Sequence, residues 1–345
     1  MLKNFLAVFL ALILPFAADA APAQTLHLFN WDNYLNPQVA KDFEKEFGVR
    51  IVEDKFASNE DLLAKLQAGA SGYDVIVPSD YAVRILTRLG LLAQLDRSNI
   101  PNLKNLAPRF RNPAYDPRHD YSIPYMWGTT GIGYSKKGTA AYGAPKGWDD
   151  MFNPDKAKRY RGRISMLNDM REAIGAALIY KGYSPNSTKP AELDEARKLL
   201  LAQKPYVAKY DSEAYEDSLV ASETVLAHGW SGEIFTAQAS SDDVAFVVPQ
   251  EGSFLFVDNL AIPKTSKNKR LAEQFIDYLL RPDVAAKNSN FLKFPTPNAK
   301  AKPLLDPKVA GANYELPAGI KFHSIEDIGA AGKLYESIWT ELKAR

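Results

Sequence analysis

Residues 73–81, Tyr73-Asp74-Val75-Ile76-Val77-Pro78-Ser79-Asp80-Tyr81, run an apolar segment straight into a Pro-Ser turn. Tyr73–Val77 has the length and β-branched content of a buried strand, and Pro78-Ser79 is a helix start. The pattern repeats upstream. Leu26–Trp31 reads as a strand. A helix follows Pro37, with Val39, Phe43 and Phe47 on one face and Gly48 at its end. Val49–Val52 is a second strand. Ser58 or Asn59 can cap the next helix, which runs through Leu62, Leu63 and Leu66 to Gly69. Strand and helix alternating three times predict a mainly parallel sheet covered by helices.

Downstream, Arg109–Pro124 is rich in Pro, Asn, Asp and Arg and reads as loop. Ile123–Tyr134, with Gly128, Gly131 and Gly133, reads as an extended crossing segment. Strand patterns then resume at Gly162–Leu167, Thr224–Trp230 and Val244–Val248, with a helix at Arg171–Lys181 ended by Gly182. Phe254–Ile262 is a long apolar strand and a second crossing. Leu271–Leu280 is an amphipathic helix stopped by Arg281-Pro282. The expected fold class is α/β, with two α/β lobes joined by two crossing segments and a ligand cleft between them. Residues 21–130 and 258–295 are assigned to lobe 1, and 131–257 and 296–345 to lobe 2.

The first twenty residues read as an export signal. Lys3 supplies a basic start, Phe5–Phe16 an apolar run broken only by Pro15, and Ala18-Asp19-Ala20 a small-x-small cleavage site. Ala21-Pro22-Ala23 is a second choice. The run falls short of the ~20 residues a membrane span needs. Across 345 residues there is no cysteine and the net charge is +1. A large exported protein can omit disulfides, and no cysteine stands at the cleavage site to carry a lipid. A free, monomeric protein in a periplasm is expected, with no membrane insertion of the mature chain. The charge balance does not favour nucleic acid.

Ligands of open α/β sheets sit beyond the carboxyl ends of strands. After the first strand stand Trp31, Asp32 and Tyr34; after the third, Ser79, Asp80 and Tyr81. After the Gly162 strand come Asp169 and Glu172; after the Thr224 strand, Trp230, Ser231 and Glu233. Phe256 and Asp258 lie on the Phe254 strand. Acidic and aromatic side chains recur together there, and Arg171 is the exception among them. That composition suits a flexible organic cation: ring faces attract ammonium and cover methylenes, and carboxylates orient the charge. Plainer roles fit each residue singly. Trp31 and Trp230 suit partly buried core, Tyr34 and Tyr81 ordinary loop aromatics, and Ser79 a helix cap. Asp169-x-x-Glu172 has the spacing of a capping box. Asp258 within an apolar strand needs a partner, either a guest cation or a protein donor.

Catalytic patterns are poor. The four histidines, His27, His119, His228 and His323, have no metal-ligand spacing. Gly229-Trp230-Ser231-Gly232 lacks the nucleophile-elbow spacing. No phosphate loop or dinucleotide fingerprint is present, so neither catalytic residues nor metal nor cofactor are assigned.

In Phe29-Asn30-Trp31-Asp32-Asn33-Tyr34, in residues 73–81 and in Tyr121-Ser122-Ile123-Pro124-Tyr125-Met126-Trp127-Gly128, the chain resembles the bacterial periplasmic spermidine/putrescine-binding proteins of ABC importers. Asp258-Asn259-Leu260-Ala261-Ile262-Pro263, Leu280-Arg281-Pro282-Asp283-Val284-Ala285 and Pro295-Thr296-Pro297-Asn298 extend the likeness over nearly the whole mature chain. The resemblance implies a type II periplasmic-binding-protein fold. It implies that Trp31, Tyr34, Tyr81 and Trp230 sandwich a methylene chain. Asp169 and Glu172 would hold one terminal ammonium, Asp258 another amine, and Ser79 and Ser212 would line the cleft. An inner-membrane ABC permease with its ATPase is the implied partner. Phe256, Phe294 and Ile325 stand where the family tends to have Trp, Tyr and Gln, which gives a shorter diamine ground; Asp32 replaces a Thr or Ser and would add a carboxylate. Rival readings are a binder of the same fold for another amine or a sugar, a polyamine sensor without transport, and a secreted glycoside hydrolase using paired carboxylates beside aromatics.

Overall fold

The structure, a computed structural model, describes residues 24–312 and 316–344. The export signal assigned to residues 1–20 lies outside the described residues. The first lobe opens with β1 (Gln24–Trp31), which pairs in parallel with β2 (Val49–Phe56) on one side and β3 (Val75–Ile76) on the other. Helix Pro37–Phe47 joins β1 to β2. Asn36 caps it by accepting from the Gln38 amide, and Gly48 ends it at φ 65°, a left-handed conformation that glycine adopts without strain. Ser58, not Asn59, caps helix Asn59–Gln67, its hydroxyl accepting from the Asp61 amide at 3.1 Å. β2 runs to Phe56, four residues beyond the apolar pattern that marked it. It is the edge strand of the sheet, where Glu53, Asp54 and Lys55 can stay in water while their backbone pairs with β1.

Two long strands carry the chain between lobes. β4 (Ser122–Ser135) leaves the first lobe. β5 (Ile164–Met166), β6 (Val207–Tyr210) and β7 (Leu226–Trp230) form the parallel part of the second, and β8 (Val244–Val247) pairs antiparallel with the far half of β4. β9 (Ser253–Ala261) returns, antiparallel to the near half of β4. The two expected crossings are therefore strands paired to each other. The register slips at Tyr125, leaving Met126 opposite Asp258. The bulged Tyr125 donates its hydroxyl to the Tyr34 carbonyl (2.7 Å) and accepts from Asn288 (2.7 Å), bracing the loop after β1.

Each lobe has its own core. Leu26, Val39, Phe43, Phe275 and Leu279 anchor the first; Trp148, Phe152, Ile174, Leu178 and Tyr335 anchor the second. The expected boundary at 295/296 does not match the contacts. The Pro295 carbonyl accepts from Trp127, Pro297 from Ala107, and Ala301 packs with Ala285 and Ala286 of the first lobe. The chain re-enters the second lobe only at β10 (Phe322–His323), which pairs with the start of β9. Helix Gly332–Ala344 then adds Tyr335, Ile338 and Leu342 to that core. The sequence offered no sign of this delay because Pro295–Asn298 is extended and polar on either assignment.

β4 can be covered closely because it is thinned by glycine. A Cβ at Gly131 would stand 2.5 Å from the Val247 carbonyl oxygen and 2.6 Å from the Phe246 ring. Backbone cannot retreat as a side chain can, so Gly131→Ala is expected to destabilise the ligand-free protein by about 1–3 kcal/mol. Urea unfolding measures this; an unmoved midpoint would show that β8 is free to shift.

Candidate functional site

The ends of β1, β3, β5 and β7 face one another between the lobes, with β9 passing beneath. They line a shared, partly open cavity with room for about 50 Å³. Trp31, Tyr34, Ser79, Tyr81, Asp169, Glu172, Trp230, Phe256, Asp258 and Phe294, ten of the twelve residues singled out from sequence, line it together. Ile325 is also there. Trp31 from the first lobe and Trp230 from the second meet edge to face at 6.1 Å. Trp31 is oriented by donating its indole N–H to the Val77 carbonyl at 2.9 Å.

Asp258 is the most constrained acid. The Ser79 hydroxyl donates to one of its oxygens at 2.6 Å and the Tyr34 hydroxyl to the other at 2.7 Å. Ser79 is positioned in turn by Asn59, whose amide donates to the Ser79 hydroxyl and whose carbonyl oxygen accepts from the Ser79 backbone, each at 3.0 Å. Ser79 thus occupies the cap position of helix Asp80–Arg88 without capping it by its side chain. The donors that an apolar strand demanded for Asp258 are protein hydroxyls.

The Asp169–Glu172 pair is half a capping box. Asp169 accepts from the Arg171 and Glu172 amides at 2.8 and 3.0 Å, as a cap does. Glu172 does not reach back. One of its oxygens accepts from Thr130 (3.0 Å) and from the Trp230 indole (3.1 Å). The other is buried without a hydrogen bond among the described residues, 3.7 Å from His228 Nε2.

Asp80, Glu233, Asn59, Phe254 and Leu255 complete the lining. Asp80 and Glu233 are acids in the first turns of helices Asp80–Arg88 and Ser231–Ser240, so five carboxyl groups share one cavity with the rings. No lysine or arginine lines it among the described residues. Burial pushes the carboxyls of Asp80, Asp169 and Glu233 up to about 8. Asp258 adds to the effect at Asp80, Glu60 and Glu172 at Asp169, and Glu216 at Glu233. Burial lifts Asp258 to about 6, held there by the two hydroxyls that favour its charged form.

Asp32 and Ser212 fall elsewhere. Both line an outer chamber that opens beside the cavity and shares Trp31, Trp230, Glu233 and Phe294 with it. Asp32 forms an ion pair with Lys55, so it brings no free carboxylate to the inner site. The reason is the unread end of β2: Lys55 pairs with Asn30 in the ladder and so stands beside Asp32. Ser212 follows β6, with Glu213, Glu216 and Asp217 near it in the chamber. Among the described residues no cluster of three or more His, Asp or Glu side chains could hold a metal ion, and no helix is long and apolar enough to cross a membrane.

Comparison with known proteins gives one answer. The family model described as bacterial extracellular solute-binding protein matches residues 38–317. A putrescine/cadaverine-binding protein of Pseudomonas aeruginosa is 36% identical over 356 aligned positions, covering 100% of both chains. The spermidine/putrescine-binding periplasmic protein of Escherichia coli K12 is 36% identical, covering 95% of this chain and 94% of its own. The crystal structure of the spermidine/putrescine ABC transporter substrate-binding protein PotD of Streptococcus pneumoniae superposes with a TM-score of 0.75 at 31% identity, covering 93% of this chain and 99% of that one. The fold is shared with the Streptococcus structure and the sequence with both curated relatives, and this chain belongs to the bacterial extracellular solute-binding protein family.

Proposed function

We propose that the protein captures a linear polyamine, putrescine or spermidine, in the periplasm by closing its lobes, and delivers it unchanged to an ABC permease. One observation carries this reading: five carboxyl groups converge on a ring-lined cavity that, among the described residues, contains no basic side chain. Buried carboxylates need either protons or cations. Protons serve when the cavity closes on nothing; a diammonium guest serves better, because each charge is paired and its methylenes lie on the rings. The names of the Pseudomonas and Escherichia relatives, and the transporter assignment of the Streptococcus protein, support the same class of guest and the same delivery. Phe256, Phe294 and Ile325 offer no polar atom to a central amine, which favours the diamine.

Asp258, Glu172 and Asp169 would take ammonium groups, with Asp80 and Glu233 completing the charge balance. Trp31, Tyr34, Tyr81, Trp230, Phe256 and Phe294 would enclose the chain between them, and Ser79 would hold Asp258. A guest whose amines miss these acids leaves a buried charge unpaired, so selectivity comes by penalty. The lobe assignment that suits this motion is 24–129, 258–311 for the first lobe and 130–257, 322–344 for the second, with hinge closure about β4 and β9.

Calorimetric titration of the mature protein with putrescine, cadaverine, spermidine and agmatine should show heat with the first and third at least; silence with all four sinks the polyamine reading. Asp258→Asn keeps the side chain's shape and one acceptor oxygen yet removes the charge. It should cost about 2–5 kcal/mol, at least about thirtyfold in affinity, and an unchanged constant would make Asp258 structural. The pH dependence has opposite signs with and without guest. Raised carboxyl values mean the closed, ligand-free fold binds more protons than the unfolded chain, so this stabilisation is present near pH 4 and is lost as pH rises through about 6 to about 8. Amine affinity rises over that same window, with protons released on binding. Scanning calorimetry at pH 5 and 8.5, with and without putrescine, tests both; identical pH slopes would contradict proton–ammonium exchange.

A further inference from the structure

His228 stands two residues before Trp230 on β7 and does not itself line the cavity. Its side chain is fully buried, and neither ring nitrogen has a hydrogen-bond partner among the described residues. Its Nε2 is 3.7 Å from the Glu172 oxygen that is likewise buried and unbonded. Trp148 meets the imidazole edge to face, with 5.1 Å between ring centroids. Two ring nitrogens and a carboxylate oxygen are thus orphaned in one place, which is unfavourable for each of them singly. At 3.7 Å the two groups are too far apart for a good hydrogen bond but well placed as an ion pair. A proton on the imidazole makes the pair neutral as a whole.

The surroundings supply no other cation for this carboxylate. Asp169 and Asp258 both feel the charge of Glu172. Glu251 is held by the Trp148 and Asp149 amides at 3.1 and 3.0 Å. Arg171, next to Glu172 in the chain, is turned to the Glu326 carbonyl and the Asn186 oxygen. Ile132, the register partner of His228 on β4, carries no charge. Among the described residues neither His228 nor Glu172 forms another ion pair.

We infer that His228 is the resident counter-ion of Glu172: the pair holds one proton while the cleft is empty, and the guest's ammonium takes over the carboxylate and drives that proton off. The inference rests on the polyamine reading and assigns one exchanged proton to a ring instead of a carboxyl. The charges balance. The imidazolium gives its N–H proton to water, the carboxylate stays ionised, and an ammonium replaces the imidazolium as its partner. Guest and proton therefore weaken each other's binding by the same factor. His228 touches no guest; it acts through Glu172, as a positioning residue for charge.

Nitrogen-15 NMR of the imidazoles in the mature protein tests this, from pH 5 to 8.5, with and without saturating putrescine. The His228 signal is assigned through its contact with Trp148 and checked by its loss in His228→Gln. Putrescine should lower the His228 titration midpoint by about one pH unit or more, which is about tenfold mutual weakening. The midpoints of His27 and His119, which do not line the cavity, should stay in place. Glu172→Gln should lower the ligand-free midpoint as well, because the imidazolium loses its partner. A ring that stays neutral over the whole range overturns the exchange. So does a midpoint that falls in Glu172→Gln but not with bound putrescine, since the guest then leaves the pair intact. Calorimetry on the same samples separates the two readings. No heat with putrescine counts against the polyamine reading itself, whereas binding with an unmoved His228 midpoint sinks the proton exchange alone.

Discussion

The structure depends on one electrostatic constraint: acids from both lobes are taken out of water in the same place, and among the described residues no basic side chain lines the space they share. Asp80 and Asp258 come from the first lobe, Asp169, Glu172 and Glu233 from the second. Removing a carboxylate from water is unfavourable by far more than a hydroxyl or two returns. Asp258 shows the compromise, with two hydroxyl donors and still a raised carboxyl value. Glu172 shows the unresolved part, with one oxygen buried and unbonded among the described residues. Together these groups need either protons or a cation to complete them.

The fold produces that convergence by simple means. Parallel strands on both sides of the cleft direct their carboxyl ends inward, and the turns that follow are helix starts. Acids in a helix's first turn are ordinary, because they oppose the helix dipole. Here the same positions bring Asp80, Asp169, Glu172 and Glu233 to the cavity wall. β9 adds Asp258 from below because the slip at Tyr125 sets the pairing so that Asp258 faces Met126 and the Ser79 turn. A change of one residue in that register would turn Asp258 to the opposite face.

Much of this could be read in the sequence, for reasons that can be named. Strand–helix alternation before residue 90 and the carboxylate inside an apolar strand are strong local signals: the first corresponds to the parallel β1–β3 unit, and the second lies on β9 at the cavity. Asp80 and Glu233 stand among the acids at the strand ends but receive no ligand role from the sequence, since an acid at a helix start needs no ligand to explain it. Asp32 was assigned to the site because it follows a strand, while the ion-pair partner that removes it sits on the charged end of β2, where hydrophobic pattern gives no sign of strand. Ser212 is implied by the resemblance alone, since the strand it follows, β6, has only four residues and is not read from the sequence. Glu172 had a complete local explanation as part of a capping box. Only the position of Thr130 and Trp230, distant in sequence, shows that its side chain turns the other way.

Closure and occupancy are linked through the same charges. The lobes touch through Trp31 and Trp230, through Phe294 against the helix that begins at Ser231, and through Arg88 and Asp327. None of these contacts requires a guest, so shape alone would let the empty protein close. Charge opposes it. At neutral pH the empty cavity can close only by taking up protons on groups that are ionised when the cleft is open to water. On the proposed function, a diammonium guest would remove that requirement and add attraction, so the closed shape would be favoured by the difference in free energy between pairing with ammonium and binding protons. On the same reading, that difference, more than the number of contacts between the lobes, would determine how sharply a permease recognising the closed shape could tell a loaded protein from an empty one.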